Sequence, residues 1–500
     1  MKRIILYMAM PCLILLTSCD VLEVESEGQL PGDVFWIEGN AANAEGFLMS
    51  IYFNFRKAVM GSSQFLTASG DMRCAPIIPT SSNNNRVNYL VANRMNDLRN
   101  YGGSPFGATT QWKPFYDVIQ PANILIKEID EVPEITKEER RIFKAEAVFM
   151  RNLAYFFMVR AFGDVPYYTN AYNSESLPRT PLVTVLKNCL EDIRTGALGE
   201  DPDNSLLPWT YSSNAKKGIR ATRGSVIALM MHINLWLVQF DGQNKTHYYQ
   251  NVIALGEQLE MHNGAYELLD MSRISTVFRG GSNEGLFEIA QNVNQANEVF
   301  SPGAVFSNSV TFSHTSASNP EYYYDGSYME KLFPRTETDL RKEYWFDENM
   351  YMPTSMYPTE IKKFLYVDYY GNNEITSNAG NQIIFRYADA LLLYAEALAA
   401  LGDEAKANEQ LNRIRRRAGA EETMLSGREL RDAIFWERQR ELIGEGQYFY
   451  DLVRTGKISN YAYTEHPIRL TEFNAGAWMW PLHRDVLKNN TKVQLNLYWE

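Results

Sequence analysis

Cys19 carries the most definite chemistry in this sequence. It follows Leu16, Thr17 and Ser18, and ahead of them stand Lys2, Arg3 and an apolar run from Ile4 to Leu16. A run this short falls below the roughly 20 residues that span a bilayer, so it reads as a cleaved export signal and not as a membrane helix. Small residues directly before a cysteine resemble a bacterial lipobox. That implies cleavage ahead of Cys19 and acylation of its thiol and new amino end with palmitate-like chains. Two or more such chains hold a protein stably on a membrane, at roughly 0.8 kcal/mol per buried CH₂. Residues 1–18 are therefore expected to be a lipoprotein signal peptide. The acidic stretch Asp20 to Glu27 then opens a solvated tether. The alternative is an ordinary secretory signal with a chance cysteine.

The second chemistry is recognition. The chain holds 30 Tyr, 25 Phe and 9 Trp. Most belong to the core, and the surplus suits carbohydrate or peptide binding. Sugar rings stack their C–H faces on aromatics, while Asp, Asn and Arg hydrogen-bond the hydroxyls; burial of such groups demands partners, which confers specificity. Two stretches combine these residue types. In the first, Asp71 and Arg73 precede Asn83 to Arg86, Asn88 and Tyr89, with Tyr101 beyond. In the second, Tyr322, Tyr323 and Tyr324 are followed by Trp345 and Tyr351. Three adjacent tyrosines cannot share one side of a strand or helix, so at least one is expected at the surface, and Tyr323, Tyr324 and Trp345 are candidate ligand contacts.

Catalytic spacings are missing. The six His show no His-Glu-x-x-His pattern, no Cys-x-x-Cys occurs, and neither a Gly-x-Ser-x-Gly elbow nor a phosphate-binding Gly-x₄-Gly-Lys loop is present. No metal site and no cofactor is expected. Calcium stays open, because loop carboxylates and carbonyls bind it without a fixed motif outside an EF-hand. A glycosidase pair is defined only by spatial separation, so a surface glycosidase remains the rival from the enzyme class, while the chain is expected to be no enzyme. The net charge of −12 argues against nucleic acid, which needs clustered cations. Arg415-Arg416-Arg417 sits where a helix dipole favours cations and reads as a solvated helix end. Glu146, Arg151 and Arg160 read as polar groups satisfied between packed helices. Cys74 and Cys189 either pair or remain two buried thiols.

These residues must be positioned by helices. Thr136 and Glu139 stand at capping-box spacing and open a helix through Phe149 to Gly163. The segment from Thr222 to Phe240 is apolar nearly all round, as a buried helix should be, with Tyr248 to Met261 as its partner. From Ile383 to Gly419 the pattern predicts a helical hairpin broken at Gly402-Asp403, with Leu391, Tyr394, Ala395, Leu398, Ala407, Leu411 and Ile414 at tetratricopeptide offsets. One hairpin cannot bury its own face, so the segments 138–162, 222–261 and 426–444 are expected to stack against it. Ser426 and Glu429 form another capping-box spacing. Long stretches without helical period, 62–110, 166–215 and 264–380, are expected to be functional loops. Gly285 to Ala290 reads as a short strand.

Taken in order, several motifs resemble the SusD/RagB family of nutrient-binding lipoproteins. They are Asp33-Val-Phe-Trp36; Trp112, Tyr116, Ile119 and Asn123; Lys144 to Arg151 through Arg160-Ala-Phe-Gly-Asp-Val-Pro166; Arg386-Tyr-Ala-Asp389; Leu411 to Gly419; and Glu437-Arg438, Glu441, Glu445-Gly446 and Asp451. Departures gather near the C-terminus, where Tyr448 replaces a usual arginine, Pro481-Leu-His483 a usual Pro-Ile-Pro, and Gln494 to Tyr498 a Gln-Asn-Pro-Gly-Tyr ending.

The resemblance implies a mainly α, tetratricopeptide-like helical-repeat scaffold with long irregular loops and a few short β-hairpins. Residues 19–500 would form a single body, with a tether over 19–30, an N-terminal region over 31–330 and a C-terminal region over 331–500. It further implies a surface-exposed, lipid-anchored outer-membrane protein that binds an oligo- or polysaccharide and delivers it to a SusC-like TonB-dependent barrel. A peptide-binding receptor of the same architecture is the alternative cargo reading, and a periplasmic repeat scaffold is a third class. Within the family the ligand site is built partly from the early loop region, which singles out Asp71, Arg73, Tyr89 and Tyr101.

Overall fold

The computed structural model describes residues 32–60, 65–81, 85–100, 109–199, 206–291, 322–370, 373–377 and 379–500. Nine long helices follow one another through the described chain: α1 (Ala41–Met60), α2 (Lys113–Glu128), α3 (Lys137–Phe162), α4 (Leu182–Ile193), α5 (Arg223–Phe240), α6 (Lys245–Met261), α7 (Tyr387–Leu401), α8 (Glu404–Arg417) and α9 (Gly427–Glu441). Each packs on its neighbours in sequence, so the bundle grows by stacking antiparallel pairs, as helical repeats do. Among the described residues no helix is long and apolar enough to cross a membrane.

Local chemistry explains most boundaries. Thr136 Oγ1 accepts from Glu139 N at 3.1 Å and the Glu139 carboxylate accepts from Thr136 N at 3.0 Å, closing the capping box ahead of α3. Gly163, at φ 69°, ends that helix. Thr222 caps α5 reciprocally with Ser225. Gly402, at φ 88°, stops α7, and Asp403 accepts from Lys406 N at 3.2 Å to start α8. The α6–α7 crossing depends on Gly256, since a Cβ there would lie 2.5 Å from the Tyr394 ring.

Four expectations are corrected. Ser426 makes no side-chain cap; Glu404 of α8 reaches across and accepts from Gly427 N at 2.6 Å instead. The hairpin begins later than Ile383, because Gln382–Arg386 is a strand buried on both faces. The stretch 166–215 contains helix α4, whose buried Val185, Leu186, Cys189 and Ile193 repeat at helical spacing. The α7–α8 hairpin packs on α5, α6 and α9 as expected, whereas α3 packs chiefly against α1, α2 and α4, further back in the stack.

Among the described residues six short strands complete the fold: β1 (Ile77–Pro79), β2 (Gly285–Ile289), β3 (Tyr322–Tyr324), β4 (Tyr366–Tyr370), β5 (Asn373–Ser377) and β6 (Gln382–Arg386). Of these, β4 and β5 pair as neighbours in sequence, while β1 pairs with β3 and β2 with β6, all antiparallel. The β1–β3 ladder ties the first half of the chain to the second, and the β2–β6 ladder joins segments about 100 residues apart within the second half.

The core between α7, α8 and α9 is ionic. Arg386 donates to Glu284 at 2.8 Å, Glu441 at 2.6 Å and Glu445 at 2.7 Å, all buried. Arg341 donates to Glu441 at 3.0 Å, and Lys363 to Glu445 at 2.5 Å. Burial acts to raise the Glu441 carboxyl, but Arg417, Arg386, Arg341 and Lys363 outweigh it and hold it far below the usual range. Burial pulls Lys363 down to about 8. The run Arg415–Arg417 is therefore not simply a solvated helix end. Arg416 pairs with Glu422 in solvent, but Arg415 pairs with buried Glu437 at 3.1 Å, and Arg417 is buried against Glu441 and Glu284. Glu146 is satisfied by Arg220 at 2.6 Å, and Arg151 by Asp192 and Asn123 at 2.7 Å. Arg160 is not satisfied by hydrogen bonds: its Nε and Nη1 lack partners, and its guanidinium lies over Phe156, Phe157 and Tyr450 at 4.2–4.5 Å. Burial lowers it to about 10.

Candidate functional site

Arg73 leaves a single π-turn, Ala68–Met72, in extended conformation. Gly70 permits that turn to lie on the loop after α9, since a Cβ at Gly70 would sit 2.1 Å from the Gly446 carbonyl oxygen. Asp71 accepts from Gly446 N at 2.8 Å, and burial pushes its carboxyl up to about 8. Arg73 donates to the carbonyls of Trp478 at 2.5 Å, Ala477 at 2.7 Å and Met479 at 3.2 Å, and to Asn93 Oδ1 at 2.8 and 3.0 Å. Its guanidinium also lies 4.4 Å from the Phe449 ring. No carboxylate among the described residues pairs with it, and burial lowers it to about 10.

These contacts correct the expectation of direct ligand contact. Asp71 and Arg73 are 2% and 1% exposed, so they hold the chain and face no solvent. Tyr323 and Tyr324 are buried along with Tyr322, because β3 runs antiparallel to β1 and both of its faces are covered. Trp345 is fully buried, with Lys363 Nζ 4.4 Å from its ring. Tyr89 is half-buried, with the Arg94 guanidinium 4.9 Å from its ring. Tyr101 and the acylation candidate Cys19 lie outside the described residues. Cys74 and Cys189 are buried free thiols, both raised by burial, Cys74 to about 12.

What Arg73 holds is the wall of an open cleft of about 480 Å³. Asn93 joins the short helices Asn85–Val91 and Met95–Asn100 in left-handed conformation, φ 52°, a backbone state that Asn tolerates better than most residues. Beside it, Arg94 and Asp97 pair at 2.7 Å in solvent. The opposite wall is Tyr461, Glu465, His466, Glu472 and Tyr498. Cys74 O accepts from Thr464 Oγ1 at 2.8 Å and from Tyr448 Oη at 3.3 Å, which fixes this wall to the residue after Arg73. Burial lowers His466, and Glu465 acts against it.

Tyr461 is 80% exposed at the rim. An exposed ring can stack on one face of a sugar while the amides, the three carboxylates Asp97, Glu465 and Glu472, and the Arg94 guanidinium hydrogen-bond its hydroxyls. The long-range ladder adds context. Pro79 of β1 stands opposite Tyr322 of β3, so the two stretches singled out by composition are neighbours in space. The C-terminal wall went unnoticed in the sequence. Its only signal is an aperiodic run, Tyr461-Ala-Tyr-Thr-Glu-His466, after Gly456. Among the described residues no group of three or more His, Cys, Asp or Glu could hold a metal ion.

Two family models match the chain: one described as starch-binding associating with outer membrane, over residues 61–235, and one as the SusD family, over 321–499. SusD-like protein P38 of Formosa agariphila is 26% identical over 542 residues, covering 96% of each chain. The crystal structure of a SusD homolog from Bacteroides thetaiotaomicron is 60% identical, with a TM-score of 0.87 over 93% of this chain and all of that one. NanU of B. fragilis, 19% identical with a TM-score of 0.72 over 95% of this chain and 99% of its own, shares the fold.

Proposed function

This chain belongs to the SusD/RagB family, and from that membership we propose that it is an outer-membrane-associated, non-enzymatic protein that captures a glycan nutrient and passes it to a SusC-like TonB-dependent transporter. Acylation at Cys19 anchors it, residues 19–30 tether it, and residues 31–500 act as one body on the cell surface. The observation that supports glycan capture is the exposed Tyr461 ring in one cleft with Asn93, whose amide a buried arginine immobilises. A pre-positioned amide loses little freedom on binding, so its recognition of a hydroxyl is less offset by ordering costs.

A glycan and peptide array on the chain truncated after Cys19 tests class and cargo together. Saturable oligosaccharide binding that weakens about tenfold in Tyr461→Ala is the expected result. Binding of peptides alone would replace the cargo, and release of saccharide products would replace the class.

A further inference from the structure

On another face, the turn around 214–218, the short helix Ile274–Arg279 and the Gly280–Asn283 turn enclose a cleft of about 610 Å³. Its lining carries three cations, Lys217, Arg273 and Arg279, against one carboxylate, Glu267. On a chain of net charge −12, such a local excess runs against the overall balance. Glu267 is moreover engaged, accepting from Asn283 Nδ2 at 3.0 Å. Arg273 is exposed and makes no ion pair among the described residues. Leu269 is the one aliphatic side chain in the lining; the remainder is amides, hydroxyls and backbone. That composition suits a hydroxylated ligand better than peptide side chains, which need apolar pockets.

The floor is built. Buried Glu288 accepts from Gly281 N and from Asn381 Nδ2, both at 2.8 Å, which orients the amide and the glycine turn. Its other oxygen has no hydrogen-bond partner and is flanked by Gly218 and Gly285, where a Cβ would approach within 2.9 and 1.9 Å of it. Burial raises the carboxyl to about 7, so the floor contributes less than a full negative charge near neutrality.

The geometry points to a second saccharide subsite that selects a carboxylate-bearing sugar, a hexuronate unit, with Arg273 supplying the guanidinium for the carboxylate and the amides Asn214, Asn283 and Asn381 meeting hydroxyls. This rests on the reading of the chain as a glycan-binding protein, but not on the Tyr461 cleft. Titration calorimetry of the full chain with tetragalacturonate tests it, with the methyl-esterified tetramer as the neutral control.

The acid tetramer binds, the ester does not, rising salt weakens binding, and Arg273→Ala weakens it about tenfold without moving the melting temperature. Equal binding of the ester, or unchanged affinity in Arg273→Ala, overturns the subsite. If neutral glycans still bind and depend on Tyr461 while the acid tetramer does not, only this inference fails; if no saccharide binds at all, the glycan reading fails with it.

Discussion

Arg73→Met tests whether a buried cation without a counter-ion sets both stability and the cleft. The substitution conserves much of the volume but removes every Arg73 donor, leaving the carbonyls of Trp478 and Met479 without their present partner and Ala477 O with only a 3.4 Å bond from Asn93 Nδ2. Each buried acceptor left unmade costs about 1–3 kcal/mol. Against this, the wild type carries the desolvation of an unpaired guanidinium, a penalty of several kcal/mol that the variant sheds. The net loss should be about 3 kcal/mol. Unfolding entropy near 2.1 cal/mol/K per residue gives about 1 kcal/mol/K for 500 residues, so the melting temperature should fall by about 3 °C in scanning calorimetry. Arg73→Lys should fall at least as far, since an ammonium cannot span Asn93 and three carbonyls and is more strongly hydrated. Because the Asn93 side chain loses the two bonds from the guanidinium and keeps only its 3.4 Å bond to Ala477 O, affinity for the proposed glycan should drop in both variants. A melting temperature within about 1 °C of wild type, or an unchanged affinity alongside a lowered melting temperature, would refute the reasoning.

Asp71 offers a pH test. Folded, it keeps its proton to about pH 8, whereas in the unfolded chain it titrates near the ordinary carboxylate value of about 4. Between those values the folded state binds more protons, so the stability drawn from this group is intact below about pH 4 and declines as pH rises to about 8. Asp71→Asn should therefore gain on wild type progressively through that window, as read by melting temperature against pH; a pH-independent difference would contradict it. Gly256→Ala should cost about 1–3 kcal/mol through the clash with the Tyr394 ring. Pairing it with Tyr394→Leu should cost less than the two separate losses combined, and strict additivity would show that the two groups do not meet.

The motifs by which the family is recognisable turn out to be ion pairs more than binding residues. Arg386, Glu437, Glu441 and Glu445 form the charged core beneath α7 to α9, and Arg438 links Asp389 at 2.8 Å to Asp451 at 3.0 Å. Charged residues at regular spacing on helices that must be buried were legible as a scaffold, although which carboxylate each arginine would meet was not. Asp71 and Arg73 were legible as special but not as buried: the partners that cover them, Gly446 and residues 477–479, lie some 375 or more positions away.

What the sequence determined on its own was local. Apolar periodicity, the Thr136–Glu139 box and the Gly402-Asp403 break set helices and boundaries, because each depends on contacts within a few residues. Tertiary structure alone decided which polar groups face water. Taken alone β3 would show a tyrosine to solvent, but β1 and its surroundings cover both faces, and the wall that carries Tyr461 is fixed by Thr464 bonding to Cys74, far away in the chain. Exposure is a property of what packs on a residue, and those partners come from anywhere in the chain.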